Sequence, residues 1–381
     1  MVTQVQNFQV SLVTTDAQRE MFLDVPFKVY KNYPNWVPPI RSSIAKQLAI
    51  KENPILEYGD FQQFIAISQK NGEPLGRIVA VINRRLIESE GKNVGLFGYF
   101  ECVEDFEVAQ SLLENASDWL RGKGMNFVRG PINLSTHNSC LFLVDKFDEP
   151  PMMMTPYNPP YYPEFMEKAG YYKGNDAYAY DFPLDIALEP KFEKGYKIAC
   201  KSGINFRPLH TKGEGFEKDC RSLYELFNTA FANNYSATPR AEEEFMDEAK
   251  ELQSLVDPDV FPIAEDNGKM IGCWMGLPDY NIALKHVNGK LNFLGILKFL
   301  WYRRQIDQGR VIVIASLPEY RRKMVPLGLI YLGMQGGIKK GKPYKRAELS
   351  FVWEDNSPSR KLVEAAGGKI YKTYRIYEKA L

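Results

Sequence analysis

The chain is poor in the side chains that most often carry chemistry. Its 381 residues include five cysteines and three histidines. Cys102, Cys140, Cys200, Cys220 and Cys273 stand far apart with no Cys-x-x-Cys pair, which argues against a dithiol redox motif. Their odd number and the lack of a secretory leader imply a reducing, cytoplasmic setting, with each thiol a small buried apolar group. His137, His210 and His286 show no metal-ligand spacing, so no metal is expected. Nor is there a long apolar run. The most apolar stretch, Leu291 to Tyr302, is shorter than the roughly 20 residues that span a bilayer, so no stable membrane insertion is expected. With Arg303 and Arg304 behind it, this stretch could lie in a membrane interface. The expectation here is the commoner one, that it packs over its own domain's sheet. Charge of one sign is also missing: 48 basic side chains meet 47 acidic ones, so global charge points to no polyanionic partner.

What the chain does contain is a duplication. The first half has Asn35-Trp36-Val37-Pro38-Pro39, a hairpin signal at Asn71-Gly72, then Asn158 before a short helical stretch and Gly170. The second has Asn234-Tyr235-Ser236-Ala237-Thr238-Pro239, a hairpin signal at Asn267-Gly268, then Asn356, a short helical stretch and Gly367-Gly368. The anchors Pro39 and Pro239, Gly72 and Gly268, and Asn158 and Asn356 lie 200, 196 and 198 residues apart. That period is too long for a solenoid and fits a repeated domain. With 45% hydrophobic and 25% charged residues, the chain is globular and long enough for two cores. The expected division is 1–182 for the first domain, 183–204 for a linker and 205–381 for the second.

Both halves alternate strands and helices. In the first, a helix over 16–32 is followed by strands over 61–68 and 76–83 joined through Asn71-Gly72, the strongest short turn signal. A strand over 94–102 leads to Asp105, a plausible cap for the next helix, which ends at Gly122 and Gly124. A strand over 127–132, a helix over 163–169 and a strand over 178–182 complete this half. In the second, helices over 216–233 and 241–255 precede strands over 260–264, 269–277 and 311–317. A helix over 328–340, a strand over 346–353, a helix over 358–366 and a strand over 370–378 follow. Insertions at 133–157 and 279–310 distinguish the halves.

The run Val311-Ile-Val-Ile-Ala-Ser-Leu317-Pro318-Glu319-Tyr320-Arg321-Arg322-Lys323 resembles the coenzyme-A-binding core of GNAT acyltransferases, in which an apolar strand ends in a basic turn that opens a helix. Glu354-Asp355-Asn356 with Leu362 and Gly367-Gly368 resembles the family's next element. Residues 205–381 carry the resemblance well and residues 1–182 weakly, and tandem copies are similar in architecture to N-myristoyltransferases, Fem-type aminoacyl transferases and the mycothiol-forming acetyltransferase. The resemblance implies an α+β fold of two tandem GNAT-like domains, each a mixed, mostly antiparallel sheet flanked by helices. It implies an N-acyltransferase using acetyl-CoA or another acyl-CoA on a primary amine of a small molecule or peptide. Ala315, Ser316 and Leu317 would hold pantetheine. Arg321, Arg322, Lys323, Met324 and Val325 would hold the pyrophosphate, as helix N-termini do, and Asn356 the central portion of the ligand.

This chain departs from the family's pattern in three places. Met324 and Pro326 stand where glycines are usual, and Val363 where the family often has a tyrosine acid; Tyr371 and Tyr374 lie on the last strand, away from that role. The first half places Glu101, Glu104 and Asp105 where a pyrophosphate would sit, so the donor belongs to the second half.

Asp279 and Tyr280, at the mouth of the second insertion, are the catalytic candidates, the carboxylate as a general base for an amine. A turn-forming aspartate after Pro278 is the competing reading. Asn133, Ser135 and Asn138, with Tyr157, Asn158 and Tyr161, either line an acceptor site or stiffen a long loop; Asn234 and Tyr235 join them as acceptor candidates, with the substrate between the halves. His137 beside Ser135 and Cys140 is proximity of a kind that arises by chance. Residues 285–346 hold fourteen basic side chains against Asp307 and Glu319. This excess suits coenzyme A phosphates or, in an aminoacyl-tRNA-dependent transferase, a tRNA held by Lys339, Lys340 and Lys345. The remaining alternative is a GNAT-like module that binds without catalysis.

Overall fold

The computed structural model describes residues 7–49, 58–184, 187–232, 234–339, 341 and 344–381. Asn233 and Lys340, which the sequence places at helix ends, lie outside the described residues. The elements run β1 (Phe8–Leu12), α1 (Asp16–Val29), α2 (Arg41–Gln47), β2 (Gly59–Ser68), β3 (Pro74–Asn83), α3 (Arg84–Glu90), β4 (Val94–Cys102), α4 (Phe106–Gly122), β5 (Phe127–Gly130), β6 (Phe142–Leu143), α5 (Tyr161–Lys168) and β7 (Tyr172–Pro183). They continue with α6 (Pro190–Lys201), β8 (Asn205–Pro208), α7 (Gly213–Ala230), α8 (Glu242–Leu252), β9 (Pro262–Asp266), β10 (Lys269–Pro278), α9 (Asn281–Leu284) and α10 (Phe293–Tyr302). The last are β11 (Gln308–Ser316), α11 (Val325–Gly337), β12 (Arg346–Trp353), α12 (Ser357–Ala365) and β13 (Lys369–Ala380).

Two compact units divide the chain, but not at its midpoint. The first takes the described residues of Met1–Asp176, Leu284–Phe299 and Tyr374–Leu381; the second takes those of Ala177–Ala283 and Leu300–Thr373. In the first, β1 to β4 pair antiparallel in sequence order and β5 pairs parallel with β4. The sheet is continued by the end of β13, with Tyr377 opposite Gly130 and Ala380 opposite Phe127. The second unit repeats this arrangement: β8 to β11 pair antiparallel, β12 pairs parallel with β11, and the end of β7 adds antiparallel to β12. Each half of the chain therefore lends its last strand to the other's unit. This corrects the sequence expectation that residues 178–182 finish the first half's sheet and 370–378 the second's. An alternating strand signal identifies a strand but carries no address for its partner.

Each sheet is covered by apolar helix faces. In the first unit Val108, Ala109, Leu112, Ala116 and Leu120 of α4 pack with Ile78, Ala80 and Phe97. In the second, Val325, Leu329, Ile330 and Met334 of α11 pack with Ile263, Ile271 and Trp274. Residues 183–204, read from sequence as a linker, include α6, whose Phe192 is fully buried in the second core and whose Tyr196 stacks on Tyr331 at 5.3 Å. The Leu291–Tyr302 stretch does not pack over a sheet as expected. Within α10 only Gly295 is buried, and the large apolar side chains face out.

Candidate functional site

In the second unit β11 and β12 begin as parallel neighbours and then part. Their pairing runs from Gln308 opposite Arg346 to Val311 opposite Leu349 and stops there. β11 continues to Ser316 against β10 alone, so Ile312–Ser316 has no partner strand on the β12 side among the described residues. A turn over Pro318–Tyr320 then delivers the chain to α11. Met324 adopts φ +62°, the left-handed region that favours glycine. A backbone shape that suits glycine is thus held here by a methionine, at a cost on the order of 1 kcal/mol. No side chain caps α11. The Gly328 amide closes on the Met324 carbonyl, Pro326 has no N–H, and the amides of Val325 and Leu327 have no acceptor among the described residues. Arg321 and Arg322 are exposed and have no side-chain partner among the described residues, while Lys323 reaches Asp266 at 3.3 Å. Free amides, a helix dipole and two guanidiniums thus meet beside an open strand edge, an arrangement chemically suited to an anion.

The first unit has the same skeleton with both features closed. β4 and β5 pair only from Val94 opposite Phe127 to Leu96 opposite Arg129. Past that point the chain's own insertion takes the strand edge: the Ile132 amide donates to the Phe97 carbonyl at 2.8 Å, and the Tyr99 amide donates to Asn133 Oδ1 at 2.7 Å. Gly98 permits this approach, since a Cβ there would lie 2.4 Å from the Ile132 carbonyl oxygen. The helix end is closed as well. Asp105 caps α4, accepting from the amides of Glu107 at 3.0 Å and Val108 at 3.4 Å. Asn133, expected to meet an acceptor, is spent on the strand edge.

Glu101 does not face out to repel an anion. It lies across from Arg77 in the β3–β4 register, and Tyr162 donates to its Oε2 at 2.8 Å while accepting from the Cys102 amide at 2.8 Å. Burial pushes the Glu101 carboxyl up to about 7, against the pull of Arg77 and the phenols of Tyr162 and Tyr30. Burial also lowers the Arg77 guanidinium, and it holds the Tyr162 phenol well above its ordinary range. A carboxyl poised near neutrality beside a phenol can exchange a proton at physiological pH.

A second buried charge cluster sits at the paired root of β11 and β12. Arg310 and Glu348 are cross-strand neighbours, 4% and 0% exposed. Arg310 Nε donates to Ser350 Oγ at 2.9 Å, Ser350 Oγ donates to Glu348 Oε1 at 2.6 Å, and the Tyr371 hydroxyl donates to Glu348 Oε2. Beside it is a small, half-open pocket lined by Trp274, Gly276, Gly309, Arg310, Gly333 and Arg346, among others. Sequence reasoning missed Arg310 and Glu348. Their signal is a charged residue inside an apolar strand run, which burial permits only to paired groups.

The other candidates are placed as follows. Ala315, Ser316 and Leu317 end β11 and run directly into Arg321–Val325, so these residues form one continuous strand-turn-helix element. Asn356 caps α12, accepting from the Ser359 amide at 3.2 Å. Asp279 is 1% exposed; its carboxylate accepts from the Asn281 amide at 3.2 Å and from Gln308 Nε2 at 2.8 Å, the geometry of a turn-forming aspartate. Tyr280 donates to the Leu255 carbonyl at 3.2 Å. In the first unit Asn158 is held by the Leu143 backbone, Tyr157 donates to the Phe147 carbonyl and Tyr161 to the Cys102 carbonyl. Ser135 Oγ accepts from the His137 amide, and Asn138 Nδ2 is buried without a partner among the described residues. In the second unit, the ring of Tyr235 packs 5.4 Å from Trp353, and Asn234 donates its amide to Phe231. Part of the basic run is paired: Lys339 with Asp259, Lys345 with Asp307 and Arg346 with Asp181. Among the described residues no group of three or more His, Cys, Asp or Glu is placed to hold a metal ion.

Comparison with known proteins decides the lineage. The chain is 30% identical to the bacterial ceramide synthase of Caulobacter vibrioides over 376 residues, 97% of this chain and 96% of that protein. It belongs to the bacterial ceramide synthase family. Protein YghO of Escherichia coli is 29% identical over 365 residues, 94% of this chain and 92% of that one. No protein-family model matches the chain. Among solved structures, a tandem GNAT protein from the clavulanic acid biosynthesis pathway covers 98% of both chains with a TM-score of 0.56 at 11% identity. A GCN5-related N-acetyltransferase from Sphaerobacter thermophilus covers 98% of this chain and 96% of its own with a TM-score of 0.53 at 12% identity. At such identities the likeness is one of fold: this member of the ceramide synthase family has a tandem GNAT-type fold.

Proposed function

We propose that the protein is an acyl-CoA-dependent N-acyltransferase that joins a fatty acyl group to the amine of a long-chain amino alcohol, forming a ceramide. The observation that carries this reading is the near-complete alignment with a ceramide synthase on a fold whose second unit retains an open strand edge and an uncapped, arginine-flanked helix. The edge at Ile312–Ser316 suits the amide-bearing pantetheine arm, and the amides of Val325 and Leu327 with Arg321 and Arg322 suit its pyrophosphate.

The reaction needs little from the protein beyond position. The neutral amine attacks the thioester carbonyl carbon, the N–C bond forms, and the C–S bond breaks. The nitrogen loses a proton and the coenzyme leaves as the thiol. Holding the two reactants together supplies much of the rate, and a backbone amide on the open edge of β11 suits the developing oxyanion. Such a route tolerates Val363 at the place of the family's tyrosine acid.

The test is to incubate the purified chain with palmitoyl-CoA and sphinganine, following thiol release and the N-acyl product by mass spectrometry. Stoichiometric appearance of both supports the reading. Absence of amide product across short, medium and long acyl chains overturns it.

A further inference from the structure

The helix α10 carries its apolar residues on the wrong side for a globular protein. Phe293 is 74% exposed and Leu294 and Trp301 each 65%, with Ile296, Leu297 and Leu300 close to half exposed. With Leu291 these are seven of the fifteen large apolar side chains that the described residues expose. At 3.6 residues per turn, Ile296, Leu300, Phe293, Leu297, Trp301 and Leu294 fall in succession over an arc of about 160°. Gly295, Phe299 and Tyr302 occupy the opposite side and are buried or half-buried. The outward face is therefore the apolar one.

Cations frame that face. On the same projection Lys298 borders one edge of the arc and Arg303 the other, Arg304 follows at the helix end with its guanidinium 5.9 Å from the Trp301 ring, and Lys285 and Lys290 precede the helix. No salt bridge among the described residues engages any of these five. His286 is held below its ordinary range, by burial first and then by Lys285 and Lys298. We propose that α10 is an interfacial helix that lies in the surface of an anionic lipid bilayer, its apolar arc among the acyl chains and its lysines and arginines at the headgroups.

The composition discriminates between occupants. A protein partner's interface core is depleted in lysine, whereas an interfacial helix places Lys and Arg at the margins of its apolar face, where long stems reach back to phosphate. Tryptophan at the edge of such a face suits the headgroup boundary. Ten residues rise only about 15 Å, half a hydrocarbon core, so the helix lies on the bilayer and does not cross it. No helix among the described residues is long and apolar enough to cross a membrane. The inference rests on this surface alone and stands apart from the acyl-transfer reading.

Flotation of the full chain with vesicles tests it. Wild type should float with vesicles of phosphatidylglycerol and phosphatidylethanolamine at least tenfold more tightly than with phosphatidylcholine alone, and lose that preference in high salt. Phe293→Ser/Leu297→Ser/Trp301→Ser should reduce binding to anionic vesicles at least tenfold with an unchanged unfolding midpoint, because the replaced side chains are exposed. Lys298→Glu/Arg303→Glu should abolish only the preference for anionic lipid. Wild type that fails to float with anionic vesicles, or a triple variant that floats as well as wild type, overturns the inference. So does a lipid-free dimer of wild type that the triple variant converts to monomer, which would assign the face to a second copy of the chain. None of these readouts depends on catalysis, so a protein that binds vesicles but forms no amide fails the acyl-transfer reading alone.

Discussion

Asp105 and Met324 hold the same place in their respective units, directly before the helix that follows the fourth strand, and they fill it in opposite ways. Asp105 turns its carboxylate onto the first amides of α4, and Met324 leaves those of α11 unclaimed. The two ends should respond differently to substitution. Asp105→Ala should cost about 1 kcal/mol of stability and leave the Michaelis constant for acyl-CoA unchanged. Arg321→Ala/Arg322→Ala should raise that constant at least tenfold with little effect on the unfolding midpoint, measured by steady-state kinetics and thermal denaturation.

The plug in the first unit makes a second prediction. Asn133→Ala removes the acceptor of the Tyr99 amide and should destabilise by about 1–3 kcal/mol. Gly98→Ala should cost more, since its Cβ meets the Ile132 carbonyl oxygen at 2.4 Å and forces the insertion off the strand. Urea unfolding of both variants checks the order.

Glu101 ties stability to pH. Its carboxyl is raised in the folded state, to about 7, so its contribution is fully present below the ordinary carboxyl range near pH 4.3 and is lost as pH rises through about 7. The full swing is on the order of 3 kcal/mol. Unfolding midpoints of wild type should fall across that window, and Glu101→Gln should flatten the fall and be the more stable protein on its alkaline side. Parallel slopes for the two proteins would remove the carboxyl from this role.

The Arg310–Glu348 pair is predicted to be costly to break from one side. Arg310→Met leaves a fully buried carboxylate without its cation and should destabilise by about 3–5 kcal/mol. Arg310→Met/Glu348→Leu should recover part of that loss, because an apolar pair replaces a stranded charge. Chemical denaturation of the single and double variants measures the coupling.

The tandem fold was legible because its signals are local. The alternation in 94–102 and 346–353, the Asn-Gly turns and the Asp105 cap each act within a few residues, and β4, β12 and the α4 cap formed as expected. The exchange of last strands was not legible, since nothing in the pattern of 178–182 says which sheet receives it. The basic turn after an apolar strand marks the strand-turn-helix element of β11 and α11, whereas sequence cannot show that Asn133, one of the acceptor candidates, accepts from the Tyr99 amide. Arg310 and Glu348 passed unnoticed because their meaning depends on burial. For α10 the composition was read correctly as apolar, but its direction belongs to the tertiary structure.

In the proposed reading one unit binds the thioester and the other has closed the same place. Calorimetric titration with a non-hydrolysable thioether analogue of palmitoyl-CoA separates the two units. One equivalent should bind per chain, with binding abolished by Arg321→Glu/Arg322→Glu and retained by Asp105→Ala. Two equivalents per chain, none, or binding lost in Asp105→Ala and kept in the double arginine variant would contradict that reading.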